Sequence, residues 1–205
     1  MGAAVPRKAV IERQRRVFDD FLKVDELFVA HEQIDGKLGA AQRRLICERG
    51  DAAAVLIFNA DRRAVVLVEQ FRAPALVGRR RDDPQTADGW VVETIAGMID
   101  AGETPEAAAI RETREETGYQ LQRVELIGKF FSSPGGISER IFLYFAEVSD
   151  ADRSGQGGGV DGEDVRVIHM ATEELFARLQ RGTIDDAKLC LAAYWLKSRL
   201  QPATS

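Results

Sequence analysis

The sequence predicts an α/β chain: an α/β/α sandwich around a mixed sheet, preceded by a small N-terminal β-hairpin segment. Three observations carry that reading. The runs "AAAVLIF" and "RAVVLVEQF" are β-rich and almost continuously apolar, as strands buried on both faces are. Helical patterns lie between and after such runs rather than in a block of their own. Before them, two alternating segments meet at an Asp-Gly, a hairpin signal.

Taken in order, residues 1–20 have weak periodicity and clustered arginines, which suggests a loose or locally helical lead-in. "ELFVAHEQI" and "AAQRRLICER", joined by "DGKLG", form the expected hairpin. The two apolar strands follow, with "NADR" as their turn. "PALVGRRRDDPQTADG" breaks the pattern, and Arg79–Asp83 reads as a solvated loop within an insert of unassigned role around Arg79–Asp88. "WVVETIAG" reads as one strand. A helix then starts at Thr104, a capping residue, with Pro105 at its first position and Gly118 fit to end it left-handed. "VELIGKFF", the loop "SSPGGISE" and the strand "RIFLYFAEV" come next. "SDADRSGQGGGVDGED", rich in glycine and acids, reads as a mobile loop, and "VRVIHM" as a last strand. Two helices close the chain: "ATEELFARLQRG", with Thr172 as candidate cap and Gly182 past its end, and "DDAKLCLAAYWLKSRL", with acids first and bases last. Trp90, Trp195 and the phenylalanines at 130, 131, 142 and 145 are assigned to the core. His31 and His169, with no nucleophile nearby in sequence, are assigned structural roles. The layout is therefore an N-terminal β-rich segment over 1–50, the main domain over 51–200, and a tail over 201–205.

Composition narrows the function classes. The 205 residues are 45% hydrophobic and 30% charged, ordinary for a globular chain with a sizeable core. A net charge of −5 with no basic block argues against a nucleic-acid partner. The two cysteines, Cys47 and Cys190, form neither a redox pair nor a metal pair, which suits a reducing compartment. No apolar run is long enough to span a bilayer, and "MGAAVPRKAVIERQRR" lacks the apolar core of a signal peptide, so a cytoplasmic protein is expected.

One stretch carries chemistry: "GMIDAGETPEAAAIRETREETGY", Gly97 to Tyr119. At about 100° per residue, Glu112, Glu115 and Glu116 fall on one side of the helix, where like charges repel by a few tenths of a kcal/mol per pair. Arg111 can relieve part of that repulsion but cannot neutralise three carboxylates. An exposed acidic face is one reading; a divalent cation held by hard carboxylate oxygens is the other.

The spacing decides between them. Gly97, Glu103, Arg111-Glu112, Glu115-Glu116 and Gly118 stand as in the Nudix box, and the chain resembles the Nudix hydrolases. Thr113 and Tyr119 occupy two positions that the pattern gives to aliphatic residues, departures that bear on helix packing more than on chemistry. The resemblance implies Mg²⁺, with Mn²⁺ as a substitute, held by Glu112, Glu115, Glu116 and the backbone carbonyl of Ala96. It implies that Glu103 and Arg111 pair to hold loop and helix together. "SSPGGISER", with Pro134 sixteen residues past Gly118, is similar to the ADP-ribose pyrophosphatase branch; the remaining segments resemble equally its relative, the GDP-mannose hydrolase branch. Carried over by position, Arg44 and Arg72 face the pyrophosphate or ribose, and Phe21 stacks on the base from a partner subunit. Ser133, Glu139 and Met98 lie on the substrate side. The acidic loop supplies the catalytic carboxylate, Asp161 and Glu163 jointly, with Asp164 as an alternative. The implied enzyme is a Mg²⁺-dependent pyrophosphatase, a homodimer through its N-terminal segment, that cleaves ADP-ribose or a related nucleotide sugar. GDP-mannose is the alternative substrate, and a non-catalytic ADP-ribose sensor the alternative of another class.

Overall fold

Strand β4 (Ala52–Asn59) shows how the main sheet is built. Its odd and even residues point to opposite faces, and nearly all are buried, so both faces are covered. The computed structural model describes residues 8–160 and 164–200. They divide into two compact units, residues 8–51 with 131–140, and 52–130 with 141–160 and 164–200.

In the second unit a mixed seven-stranded sheet runs in the order β10 (Val165–Ala171), β5 (Ala64–Phe71), β4, β9 (Arg140–Val148), β8 (Glu125–Phe131). β6 (Trp90–Glu93) pairs with β5, and β7 (Ile95–Met98) with β4. β4 and β9 are parallel, and the other pairs of register-matched strands are antiparallel. One face packs Ala54, Leu56, Val65 and Leu67 against α3 (Thr172–Arg181) and α4 (Ala187–Leu200) through Leu175, Leu179, Leu189 and Leu196. The other packs Ala53, Val55, Ile57, Val66 and Val68 against Ala108 and Ala109 of α2 (Pro105–Thr117). Truncating a fully buried leucine such as Leu56 costs about 2–5 kcal/mol. This is the α/β/α sandwich that the sequence predicts.

The first unit is a three-stranded antiparallel sheet in the order β1 (Ala9–Asp19), β2 (Lys23–His31), β3 (Gln42–Glu48). β1 corrects the expected loose or helical lead-in. Its arginines find buried acids across the strand pair: Arg15 Nε donates to Glu26 at 2.6 Å and Arg16 Nε to Asp25 at 2.5 Å. Cross-strand charge pairing, invisible to hydrophobic periodicity, makes that segment a strand.

Smaller corrections follow the same logic. The insert carries a short helix, α1 (Ala73–Arg79), and Arg79 is tied to Asp88, Asp185 and the Trp90 carbonyl rather than merely solvated. "WVVETIAG" breaks at Thr94 into two strands with different partners. Ala171, not Thr172, caps α3, because the Thr172 hydroxyl donates to the Arg63 carbonyl instead. Trp90 and Phe131 are exposed, while Phe145 is core. Among the described residues, no helix is long and apolar enough to cross a membrane. Residues 201–205, the expected tail, lie outside the described residues.

Candidate active site

Helix α2 begins where its sequence demands. The Thr104 hydroxyl accepts from the Ala107 N–H at 3.2 Å, Pro105 sits in the first turn, and Gly118 ends the helix at φ 75°. Thr113, in a position the box gives to an aliphatic residue, is fully buried and satisfies its hydroxyl on the Ala109 carbonyl at 2.8 Å. Tyr119 is equally buried, its hydroxyl bonded to Asn59 Nδ2 and His169 Nε2, each at 3.1 Å. The two departures from the pattern are thus absorbed by packing. His169 takes the structural role expected of it, and burial lowers its pKa.

Arg111 organises the acids. Its Nε and Nη2 donate to the Glu103 carboxylate at 3.0 and 2.9 Å, and Nη2 also reaches the Met98 carbonyl at 3.0 Å. Its Nη1 lies 2.6 Å from Glu112 and 3.2 Å from Glu115. The guanidinium therefore joins the loop that follows β7 to the helix. Hydrogen bonding to Arg111 holds the Glu103 carboxyl below the usual carboxylate range, and Glu103 in turn raises the Arg111 pKa. Glu112 is accommodated by Gly97, since a Cβ there would overlap its carboxylate. Glu116 is 4% exposed and accepts from Gln70 Nε2 at 3.0 Å.

Could this set hold a divalent cation? Glu112 and Glu115 already converge on one positively charged nitrogen, and Glu116 follows them on the same helix. Among the described residues no three acids meet at ligand distance, because Arg111 Nη1 lies between two of them and Glu116 turns to Gln70. The donors are hard carboxylate oxygens, the kind Mg²⁺ prefers. A cation that displaced only Nη1 would leave the Glu103 and Met98 contacts of Arg111 standing.

Other sequence-derived candidates fall in two groups. In the second unit, Ala96 lies opposite Ala54 and Gly97 opposite Ala53 on β7, while the side chain of Met98 is exposed. Arg72 Nε donates to Glu93 at 2.6 Å, and Glu93 also faces Lys188, which is 2.8 Å from Asp186. In the first unit, Arg44 lines a cleft with Ile46, Phe131, Pro134 and Ser138. The Ser133 carbonyl accepts from the Gly136 and Ile137 N–H groups, and Glu139 pairs with Arg49 at 3.3 Å. Phe21 is 86% exposed at the β1–β2 turn. Asp161 and Glu163 lie outside the described residues.

Gln70, Glu93, Lys188 and Asp186 are absent from the sequence-derived set. Their signal was available: a polar residue inside an apolar strand, such as Gln70 in "RAVVLVEQF" or Glu93 in "WVVETIAG", must find a buried partner. Which partner, only the fold reveals.

Comparison with known proteins agrees with this geometry. A GDP-mannose pyrophosphatase of Cronobacter sakazakii (strain ATCC BAA-894) is 37% identical over 165 residues, covering 80% of this chain and 82% of its own. One of Escherichia coli (strain SMS-3-5 / SECEC) is 32% identical over 192 residues, covering 91% and 96%. A crystal structure of an ADP compounds hydrolase shares the fold, with a TM-score of 0.67 at 19% identity over 98% of this chain and 100% of that one. The NUDIX domain family matches residues 48–191, a span that holds the whole glutamate-rich helix. The chain is a Nudix hydrolase, a member of the NUDIX domain family.

Proposed function

We propose that the chain is a divalent-cation-dependent pyrophosphatase of nucleoside diphosphate sugars, with GDP-mannose ahead of ADP-ribose as substrate. The observation that carries the substrate class is the shared name of relatives that match this chain over most of both lengths at 32–37% identity. The ADP compounds hydrolase, at 19% identity, speaks for the fold alone, so the relatives' shared name supports placing GDP-mannose ahead of the ADP-ribose that "SSPGGISER" suggests.

Glu112, Glu115 and Glu116, with the Ala96 carbonyl, are the residues that would hold Mg²⁺, which when bound neutralises non-bridging phosphate oxygens and activates water. Arg111 and Glu103 keep helix and preceding loop in register for those ligands. Arg72 and Arg44 offer guanidinium forks suited to phosphate oxygens. Met98, Ser133 and Glu139 contact the sugar side, and Phe21 of a second copy stacks on the base. A carboxylate of the acidic segment, from Asp161 and Glu163 jointly or else Asp164, takes the proton of the attacking water as its oxygen bonds to one phosphorus and the bridging P–O bond breaks. The products are a nucleoside monophosphate and a sugar phosphate.

A panel of GDP-mannose, ADP-ribose and other nucleotide sugars, read by chromatography of the released nucleotide, tests this. A higher kcat/KM for GDP-mannose is expected, and a higher value for ADP-ribose reverses the order. Binding without any release of monophosphate would make the chain a sensor. Glu116→Gln should cut turnover sharply at saturating magnesium, and wild-type turnover would refute the ligand assignment.

A further inference from the structure

We propose that the glycine segment Gly155–Gly159 is a main-chain clamp that positions Glu115 and Glu116 for cation binding; the inference rests on the metal reading above. A helix leaves its last four carbonyls without intrahelical donors. In α2 the Arg114 carbonyl accepts from the Gly118 N–H at 3.0 Å. The next two accept from outside the helix: Glu116 from the Gly158 N–H at 2.8 Å, and Glu115 from the Gly159 N–H at 3.2 Å. These are the carbonyls of the two adjacent acids at the end of the cluster. One turn of loop backbone therefore fixes the main chain from which both carboxylates project.

The contact is built for glycine. Gly157, Gly158 and Gly159 have φ of 71°, 111° and 81°, a run that L side chains rarely adopt. A Cβ at Gly157 would overlap the Glu116 carbonyl and the Thr117 backbone. A Cβ at Gly118 would overlap the Gly155 carbonyl, so the last glycine of the box serves the clamp as well as the helix end. Within the loop Arg153 donates to the Gly155 and Gln156 carbonyls at 3.1 and 2.9 Å, while the Ser154 N–H donates to the Gly118 carbonyl at 3.0 Å. Glu116 is thus fixed twice, by Gly158 at its main chain and by Gln70 at its carboxylate. The segment that sequence marks as mobile is, over these residues, an anchor.

The test measures Mn²⁺ binding to the full-length protein by electron paramagnetic resonance, with near-ultraviolet circular dichroism and metal-free Tm as checks of folding. Gly157→Ala inserts the clashing Cβ, and Gly159→Val disfavours the left-handed conformation that aims its N–H at Glu115. Both should weaken Mn²⁺ binding about tenfold, the scale of losing a group that orients a ligand. Gly159→Asn, which tolerates positive φ, should restore binding. Gly128→Ala on β8, outside the clamp, should match wild type, since nothing lies within 4 Å of a Cβ there. Folded Gly157→Ala and Gly159→Val proteins with wild-type Mn²⁺ affinity overturn the clamp and leave the metal reading intact. If Gly157→Ala does not fold, the contrast between Gly159→Val and Gly159→Asn decides. A wild-type chain that binds no Mn²⁺ overturns the metal reading, and the clamp with it.

Discussion

Gly97 has an ordinary backbone conformation; it is absent from the positive-φ glycines, unlike Gly102 and Gly118. Its requirement is instead steric, because the Glu112 carboxylate lies where a side chain would begin. Gly97→Ala should therefore leave folding nearly intact, as the far end of a glutamate can swing aside, while displacing a metal ligand. A loss of about a hundredfold in kcat/KM is expected, the scale of a 1 Å misplacement, with Tm close to wild type. Unchanged kcat/KM would show that Glu112 is not a ligand. The spacing of glycine, arginine and glutamates in one stretch made these residues legible in the sequence, since local geometry sets their relation. The partners of Gln70 and Glu93 were not legible, because they stand far along the chain: 46 residues on for Gln70, and 95 for the bond from Lys188 to Glu93.

Elements were readable where their own signals suffice. Thr104, Pro105 and Gly118 mark both ends of α2, and the continuous apolar runs mark β4 and β5. β1 was not readable, because its stability lies in partners on β2. Glu26 there is nearly buried, and hydrogen bonds from Arg15 and Arg43 lower its pKa from 4.5 to about 2. A carboxylate with a depressed folded pKa lends stability that is complete above its unfolded value and is lost as pH falls through the folded one. For Glu26 that window runs from about 4.5 down to about 2. Asp25, whose pKa Arg16 lowers, adds to it in the same direction. Acid titration followed by hydrogen exchange should show β1 and β2 losing protection across that window before β4 and β5. Glu26→Gln should flatten the dependence; an identical acid profile would mean that the charge pairs do not hold the strand.

At the scale of the molecule, the first unit poses a question that one copy of the chain does not answer. β1 is an edge strand, all eleven of its residues are exposed, and Ile11 and Phe18 are 55% and 54% accessible. Phe21 beside them is the most exposed phenylalanine named above, at 86%. Three-stranded sheets need an apolar face covered, and long exposed edges invite pairing with another chain. We propose a second copy as the occupant, since it would cover both features; the homodimer is thus part of the proposed function. Light scattering at micromolar concentration should give a mass near twice 22.7 kDa. Ile11→Asp with Phe18→Asp places charge on that face without touching α2, so it should halve the mass while Mn²⁺ binding persists. Turnover should fall with the mass, because Phe21 would no longer reach a neighbouring substrate. A wild-type chain that runs at 22.7 kDa and turns over nucleotide sugar at full rate would instead assign base recognition to residues within one copy.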